Sequence, residues 1–392
     1  MARILMKGNE AIAEAAIRAG AEGYFCYPIT PQSEVAEYMA KRMPEVGLTF
    51  LQGESEVAVA NMLFGAASTG KRVFTTSSSP GISLMQEAIS YLAGAELPCV
   101  IVNIMRAGPG LGGILPAQSD YFQAVKGGGH GDYRVLVLAP STVQEAVDLM
   151  MLSFHLADKY RNPVMMIGDG MIGQMMEPVE FPDKFEEPEL PSKDWAATGA
   201  KGRDSLIIKS LFLDPDALER HNWKLRDKFD RMREHEVRFE KYKISDKNKV
   251  LIVSYGTMAR ICQTAIDELE QEEGISVGLF RPVSLFPFPE REIFEEATKK
   301  NIKTVLSVEM STAQMHEDVQ KAVMGKKPCE FFGHTGGIVP NPSELKELLS
   351  KLSTGRKARA AGTKTAGKAR AAGVRTGAST RRSAARKTRK TK

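Results

Sequence analysis

Four stretches of the chain place residues capable of chemistry directly after apolar runs. Thr30 follows GYFCYPI, Glu54 and Glu56 follow LTFLQG, Ser77-Ser78-Ser79-Pro80-Gly81 follows VFTT, and Arg106 opens RAGPGLGG after CVIVNIM. A carboxylate can hold or move a proton, a guanidinium can fork onto a carboxylate, and hydroxyls beside glycines can bring donors close to a polar ligand. Glu56 is the most specific of these. Placed on a helix, it heads the stripe Ala60, Leu63, Phe64 and Ala67, at +4, +7, +8 and +11, so its carboxylate faces the interior or a partner rather than water. Ordinary alternatives stand beside each reading. Glu56 and Glu54 both suit a helix's first turn, Thr30 and the serines suit helix caps, and Arg106 suits an ion pair bracing its loop.

The elements that must position these groups alternate. Strand-like runs at 23–29, 48–51, 73–76, 99–105, 134–138 and 164–167 are separated by helical patterns at 33–42, 55–68, 83–93 and 143–159. The alternation predicts an α/β domain over 1–178, with a parallel sheet covered on both faces. Ligands of such sheets bind beyond the carboxyl ends of the strands, which is where the four stretches fall. Residues 179–247 open Pro- and acid-rich and continue as a charged helical stretch, 214–243, predicting a linker with an exposed helix. Residues 248–351 resume alternation, with strands at 250–254, 276–281 and 303–308 and helices at 258–273, 290–300 and 315–324, as a second, smaller α/β domain. Residues 352–392 are Lys/Arg/Ala-rich with little to bury, and are expected to be a disordered basic tail.

Several patterns imitate sites. Gly65 to Arg72 nearly spells a phosphate-binding loop, but Arg72 stands where a Ser or Thr would hold magnesium, and the order is helix then strand rather than strand then helix. Gly70 is read as a helix C-cap. Gly168-Asp169-Gly170 resembles the opening of a thiamine diphosphate–magnesium motif, but no Asn follows at the required distance, so no metal site is expected on this chain. His130 lies in a glycine-rich loop and ranks low. Cys26, Cys99, Cys262 and Cys329 are scattered singly, which argues against a zinc or iron–sulfur site held by this chain and suits a reducing compartment. No apolar run approaches a membrane span and the start turns polar early, so a cytoplasmic protein is expected.

YPITPQSE (27–34), QGESEVAVANMLFGAASTG (52–70), the SSSPGISLMQE run (77–87), VNIMRAGPGLGG (102–113), SVEMSTAQMHEDV (307–319) and GGIVPNP (336–342) together resemble the alpha subunits of 2-oxoacid:ferredoxin oxidoreductases. QSDYFQAVKGGGHGDYR (118–134) looks most like the 3-methyl-2-oxobutanoate (2-ketoisovalerate) branch, with the 2-oxoglutarate and pyruvate types as alternatives. The resemblance implies a thiamine-diphosphate pyrimidine-binding domain followed by a smaller transketolase C-terminal-like domain. It implies that Glu56 contacts the aminopyrimidine, where a buried carboxyl promotes the imino tautomer that takes the thiazolium proton. Ser78, Ser79 and Gly81 would lie against the cofactor, while Thr30 and Arg106 would approach the substrate. Relatives often carry Gly where this chain has Ser79, so the backbone approach there would be less close. The implied partners are a beta subunit holding the diphosphate and Mg2+, gamma- and delta-type subunits with [4Fe-4S] clusters, and ferredoxin. The implied reaction is oxidative decarboxylation of a 2-oxoacid with coenzyme A to acyl-CoA and CO2.

The formal charge of +5 hides an asymmetry: residues 354–392 hold fourteen Lys/Arg and no Asp/Glu, leaving the other 353 residues at −9. Dispersed cations of this kind suit non-specific, salt-sensitive nucleic-acid contact, or contact with acidic partner subunits. A nucleic-acid-binding protein acting through this tail is the rival in a different class, and the acidic body argues against a basic binding face.

Overall fold

The computed structural model describes residues 3–182 and 190–354. The first half runs β1 (Ile4–Lys7), α1 (Gly8–Arg18), β2 (Gly23–Cys26), α2 (Ser33–Glu45), β3 (Thr49–Gln52), α3 (Glu56–Ala67), β4 (Val73–Ser77), α4 (Ser79–Gly94), β5 (Cys99–Met105), α5 (Tyr121–Lys126), β6 (Leu136–Leu138), α6 (Val143–Tyr160), β7 (Pro163–Asp169), α7 (Gly170–Gln174) and β8 (Met176–Val179). The second runs α8 (Pro215–His235), β9 (Phe239–Tyr242), β10 (Val250–Val253), α9 (Gly256–Glu273), β11 (Gly278–Pro282), β12 (Ser284–Phe286), α10 (Glu290–Ala297), β13 (Thr304–Glu309), α11 (Gln314–Val323), β14 (Cys329–Gly333) and α12 (Pro342–Thr354).

A seven-stranded sheet, ordered β12-β6-β7-β5-β4-β2-β3, carries the expected site. Strands β2 to β7 run parallel, so their carboxyl ends share one edge. Every residue of β5 and β7 is buried, as continuous apolar runs covered on both faces require. A five-stranded sheet, β14-β13-β10-β11-β9, surrounds its own hydrophobic cluster, and β1 pairs antiparallel with β8.

The elements depart from the sequence expectation at informative places. β2 stops at Cys26 instead of 29, before Pro28, which has no N–H to give a ladder. α4 starts at Ser79, not 83, with Pro80 in its first turn, where the fixed φ is already helical. Gly81 therefore belongs to the helix. The stretch 214–243 is not one exposed helix. α8 ends at His235 with Leu225, Phe229 and Met232 buried. β9 then joins the second sheet antiparallel to β11, Phe239 stacking on Phe280 at 4.9 Å. β12 leaves the second half to pair with β6, so the first sheet is completed by late residues. The expected tail keeps 352–354 inside α12; the rest, and its proposed partners, lie outside the described residues. Among the described residues no helix is long and apolar enough to cross a membrane.

Candidate active site

Glu56 is the first residue of α3, and Ser55 caps the helix by accepting from Ala58 N at 3.2 Å. Val59, Ala60, Leu63 and Ala67 are buried behind it and Phe64 is half-buried. The stripe draws the carboxylate inward: Glu56 is only 6% exposed. It packs against Gly81, where a Cβ would sit 2.7 Å from Glu56 Oε1 and 2.1 Å from Ser77 Oγ. No hydrogen bond or ion pair to a described residue engages the Glu56 side chain, and the buried Ser77 and Ser78 hydroxyls have no partner either. Ser78 holds the N-cap position of α4 without bonding through its side chain. Buried polar groups are rarely left unsatisfied, so the two spare serine hydroxyls, with the Glu56 carboxyl against Gly81, describe a surface shaped for a polar ligand.

Ser79 points the other way. Its amide donates to Asn103 Oδ1 at 3.0 Å, and its hydroxyl donates to Asp120 Oδ2 at 2.5 Å while accepting from Arg106 N at 3.0 Å. The hydroxyl is consumed in joining α4 to the end of β5. Asp120, unremarked in the sequence, also accepts from Asn103 Nδ2 at 2.9 Å. Burial raises its carboxyl above the ordinary range, against the pull of these donors and the nearby Arg106 charge.

Arg106 is 7% exposed. Its guanidinium donates to Thr30 O at 3.1 Å and to Leu111 O at 3.1 Å, and its buried Nε has no partner among the described residues. It does brace loops, but through carbonyls rather than an ion pair. Thr30 itself is exposed, and Gln32, not Thr30, precedes α2 as its cap residue. Contacts thus run from Glu56 through Gly81, Ser77 and Ser79 to Arg106 and Thr30, at the edge where the parallel strands end.

The second half of the chain holds this edge in place. Gln118 donates from its backbone to Met310 O at 2.8 Å, accepts from Met310 N at 2.9 Å through its side chain, and donates to Tyr255 O at 2.9 Å. Gln314 donates to Ser119 O at 2.7 Å and accepts from Phe122 N at 2.8 Å. Tyr121 donates to Asp318 at 2.8 Å. Asp120 is fixed between these straps. A cavity of about 370 Å³ opens between Ser83, Asp120 and Gly108 on one side and Thr312 and Thr335 on the other.

The imitating patterns have structural duties. Lys71 pairs with Glu22 at 2.6 Å. Asp169 caps α7, accepting from Met171 N at 2.9 Å. His130 lies exposed, edge-on to Tyr91 with ring centroids 6.4 Å apart, and joins none of the site's bonds. Burial pushes the Cys26 and Cys262 thiols up to about 11 and about 12, so both stay protonated and unreactive at neutral pH. Among the described residues there is no cluster of three or more His, Cys, Asp or Glu able to hold a metal ion.

Residues 14–243 match the thiamine-diphosphate-binding family described as pyruvate flavodoxin/ferredoxin oxidoreductase, and residues 248–345 match pyruvate:ferredoxin oxidoreductase core domain II. The chain is 48% identical over 352 residues to the ketoisovalerate oxidoreductase subunit VorB of Methanothermobacter marburgensis, covering 90% of this chain and 97% of the relative. It is 33% identical over 374 residues to the 2-oxoglutarate synthase subunit KorA of Methanothermobacter thermautotrophicus, covering 89% and 98%. The solved 2-oxoglutarate:ferredoxin oxidoreductase from Magnetococcus marinus, with 2-oxoglutarate, coenzyme A and succinyl-CoA bound, aligns with a TM-score of 0.79 at 26% identity. That alignment covers 89% of this chain, which spans 65% of the solved one. A split-gene transketolase, an inactive beta4 tetramer, shares the fold at a TM-score of 0.55 and 14% identity.

Proposed function

Because the chain belongs to the 2-oxoacid:ferredoxin oxidoreductase family, as a subunit of a thiamine-diphosphate-dependent oxidoreductase, we propose that its complex oxidatively decarboxylates a branched-chain 2-oxoacid to acyl-CoA and CO2. The observation that carries the site assignment is the buried Glu56 carboxylate, without a partner among the described residues and pressed against Gly81. Thiamine diphosphate, when bound, supplies the ring that stabilises the carbanion left by decarboxylation. The residues present fit its pyrimidine half. Glu56 offers a carboxyl to a ring nitrogen, holding a proton there; Ser77 and Ser78 offer unspent hydroxyls; and Gly81 leaves room for them. Ser79, whose hydroxyl is turned to Asp120, is read as part of the framework of the site. A magnesium–diphosphate site, iron–sulfur clusters and ferredoxin docking are assigned to companion beta, gamma and delta-type subunits, with the complex in the cytoplasm.

The branched-chain assignment is supported by the higher identity to the ketoisovalerate relative than to the 2-oxoglutarate one. It is tested by ferredoxin-linked reduction with a panel of 2-oxoacids, using the complex purified with its partner subunits. We expect kcat/KM for 3-methyl-2-oxobutanoate to exceed that for 2-oxoglutarate or pyruvate by at least roughly tenfold, a discrimination that one or two side-chain groups can supply. A preference for 2-oxoglutarate or pyruvate would refute it.

Gly81→Ala probes the pocket without replacing an ionisable group. Its methyl would overlap Ser77 Oγ and crowd Glu56 Oε1, a strain worth about 1–3 kcal/mol. Thiamine diphosphate affinity should fall by roughly tenfold or more, and adding Ser77→Ala should recover part of it. Unchanged affinity in the single variant would separate Gly81 from the cofactor.

A further inference from the structure

The opposite, amino edge of the seven-stranded sheet holds a cavity of a different character. The chain enters β5 and β7 through Glu96 and Arg161, each in a left-handed turn just past the ends of α4 and α6, and α8 crosses beside them. Between these elements lies a cavity of about 450 Å³, whose lining among the described residues includes Lys159, Arg161, Lys224, Lys228 and Arg231 but one carboxylate, Glu96. His235 stands at its rim.

Some of this positive charge is already answered. Lys224 pairs with Glu96, and Lys228 Nζ lies 3.4 Å from Glu96 Oε1 while donating to Arg161 O at 3.1 Å. Lys159 pairs with Glu236 at 2.6 Å. Asp194 faces Arg161 electrostatically. The carboxyl ends of α4 and α6 add roughly one further negative charge between them. Among the described residues the cations of the lining outnumber the carboxylates that face them. Among the described residues two donors are also unspent: Arg161, stacked over Trp195 at 4.5 Å, has a buried Nε without a partner, and the exposed Arg231 has no ion pair. Burial holds the Lys228 ammonium down to about 8, even beside Glu96, as expected where countercharge is short.

We propose that this cavity binds a small phosphate-bearing polyanion of the oligophosphate class. Its volume lies in the range of small-molecule sites, and forked guanidinium donors beside lysines suit phosphate oxygens. It cannot be an extension of the Glu56 site. β5 and β7 each span seven residues, so the two edges lie roughly 23 Å apart, and the bound anion touches none of the reacting groups. α4 nevertheless joins the two, beginning at Ser79 and Gly81 and ending beside Glu96. A ligand here is an effector or stabiliser, not a reactant.

The test is calorimetric titration of the assembled complex with sodium tripolyphosphate at fixed ionic strength, with thiamine diphosphate and coenzyme A saturating so that their own phosphate sites are filled. One equivalent should bind per copy of this chain. The double variant Lys224→Gln/Arg231→Gln, both solvent-facing, should bind roughly a hundredfold more weakly, with 2-oxoacid turnover in the absence of polyphosphate unchanged. Equal affinity for ATP and tripolyphosphate would place recognition in the phosphates alone, and tighter ATP would add a nucleoside contact; both support the site. Heat no greater than sulfate gives, or titrations identical in the variant, would overturn it. So would loss of subunit association in the variant, which would assign this face to an acidic surface of a partner subunit.

Discussion

Glu56→Gln should leave a complex that assembles and melts like the parent but turns over roughly 10²–10⁴-fold more slowly, the range that general acid–base groups contribute. The two halves of this expectation have separate causes. The fold should survive because the side chain makes no hydrogen bond within the described protein that an amide could break, and Gln fills the same space against Gly81. The melting temperature should therefore stay level. Turnover should collapse because an amide can bond to a pyrimidine nitrogen but cannot hold a transferable proton there. Hydrogen–deuterium exchange at the thiazolium carbon of the bound cofactor reads this step apart from substrate binding and electron transfer, and should slow by a comparable factor. Exchange at the parental rate would strip Glu56 of its assigned role. A large drop in melting temperature would mean that the carboxylate is structural.

That carboxylate was legible in the sequence because its signal is local. A helical stripe of Ala60, Leu63 and Ala67 fixes which way residue 56 faces, and Leu48 to Gly53 announce the strand that delivers it. The strand-helix alternation likewise announced a parallel sheet, since βα units leave their mark in periodicity. What was hidden depends on contacts between distant residues. β12 pairs with β6 across about 150 residues of chain, and a three-residue strand has too few positions to show a period. Asp120 acquires its importance from Ser79 and Asn103 on one side and from the Gln118–Met310 and Gln314–Ser119 bonds on the other. Nothing in QSDYF distinguishes that aspartate from a surface acid. The orientation of Ser79 was hidden for the opposite reason: it sits in a cofactor-like run, yet its hydroxyl is turned to Asp120 by a helix that begins four residues earlier than its apolar pattern suggests.

Arg106→Ala should raise the KM for the 2-oxoacid by roughly a hundredfold, equivalent to about 2.7 kcal/mol, while changing the KM for coenzyme A only a few-fold. The geometry supplies two reasons. The guanidinium joins the Thr30 and Leu111 carbonyls, and charge-assisted hydrogen bonds of this kind contribute about 1.5–3 kcal/mol each. Without them the turn between Ala107 and Leu115 loses its tie to the Thr30 loop, and amide exchange across 107–115 should accelerate. The unpartnered Nε of a guanidinium at a strand's carboxyl end is, in addition, what a substrate carboxylate would seek. Arg106→Lys separates the two contributions. A lysine keeps the charge but cannot bridge two carbonyls from one planar fork, so it should recover part of the 2-oxoacid KM and none of the loop protection. If alanine raised both KM values equally and lysine restored neither, Arg106 would be a brace alone, and the carboxylate of the substrate would have to be held by a residue of a partner subunit.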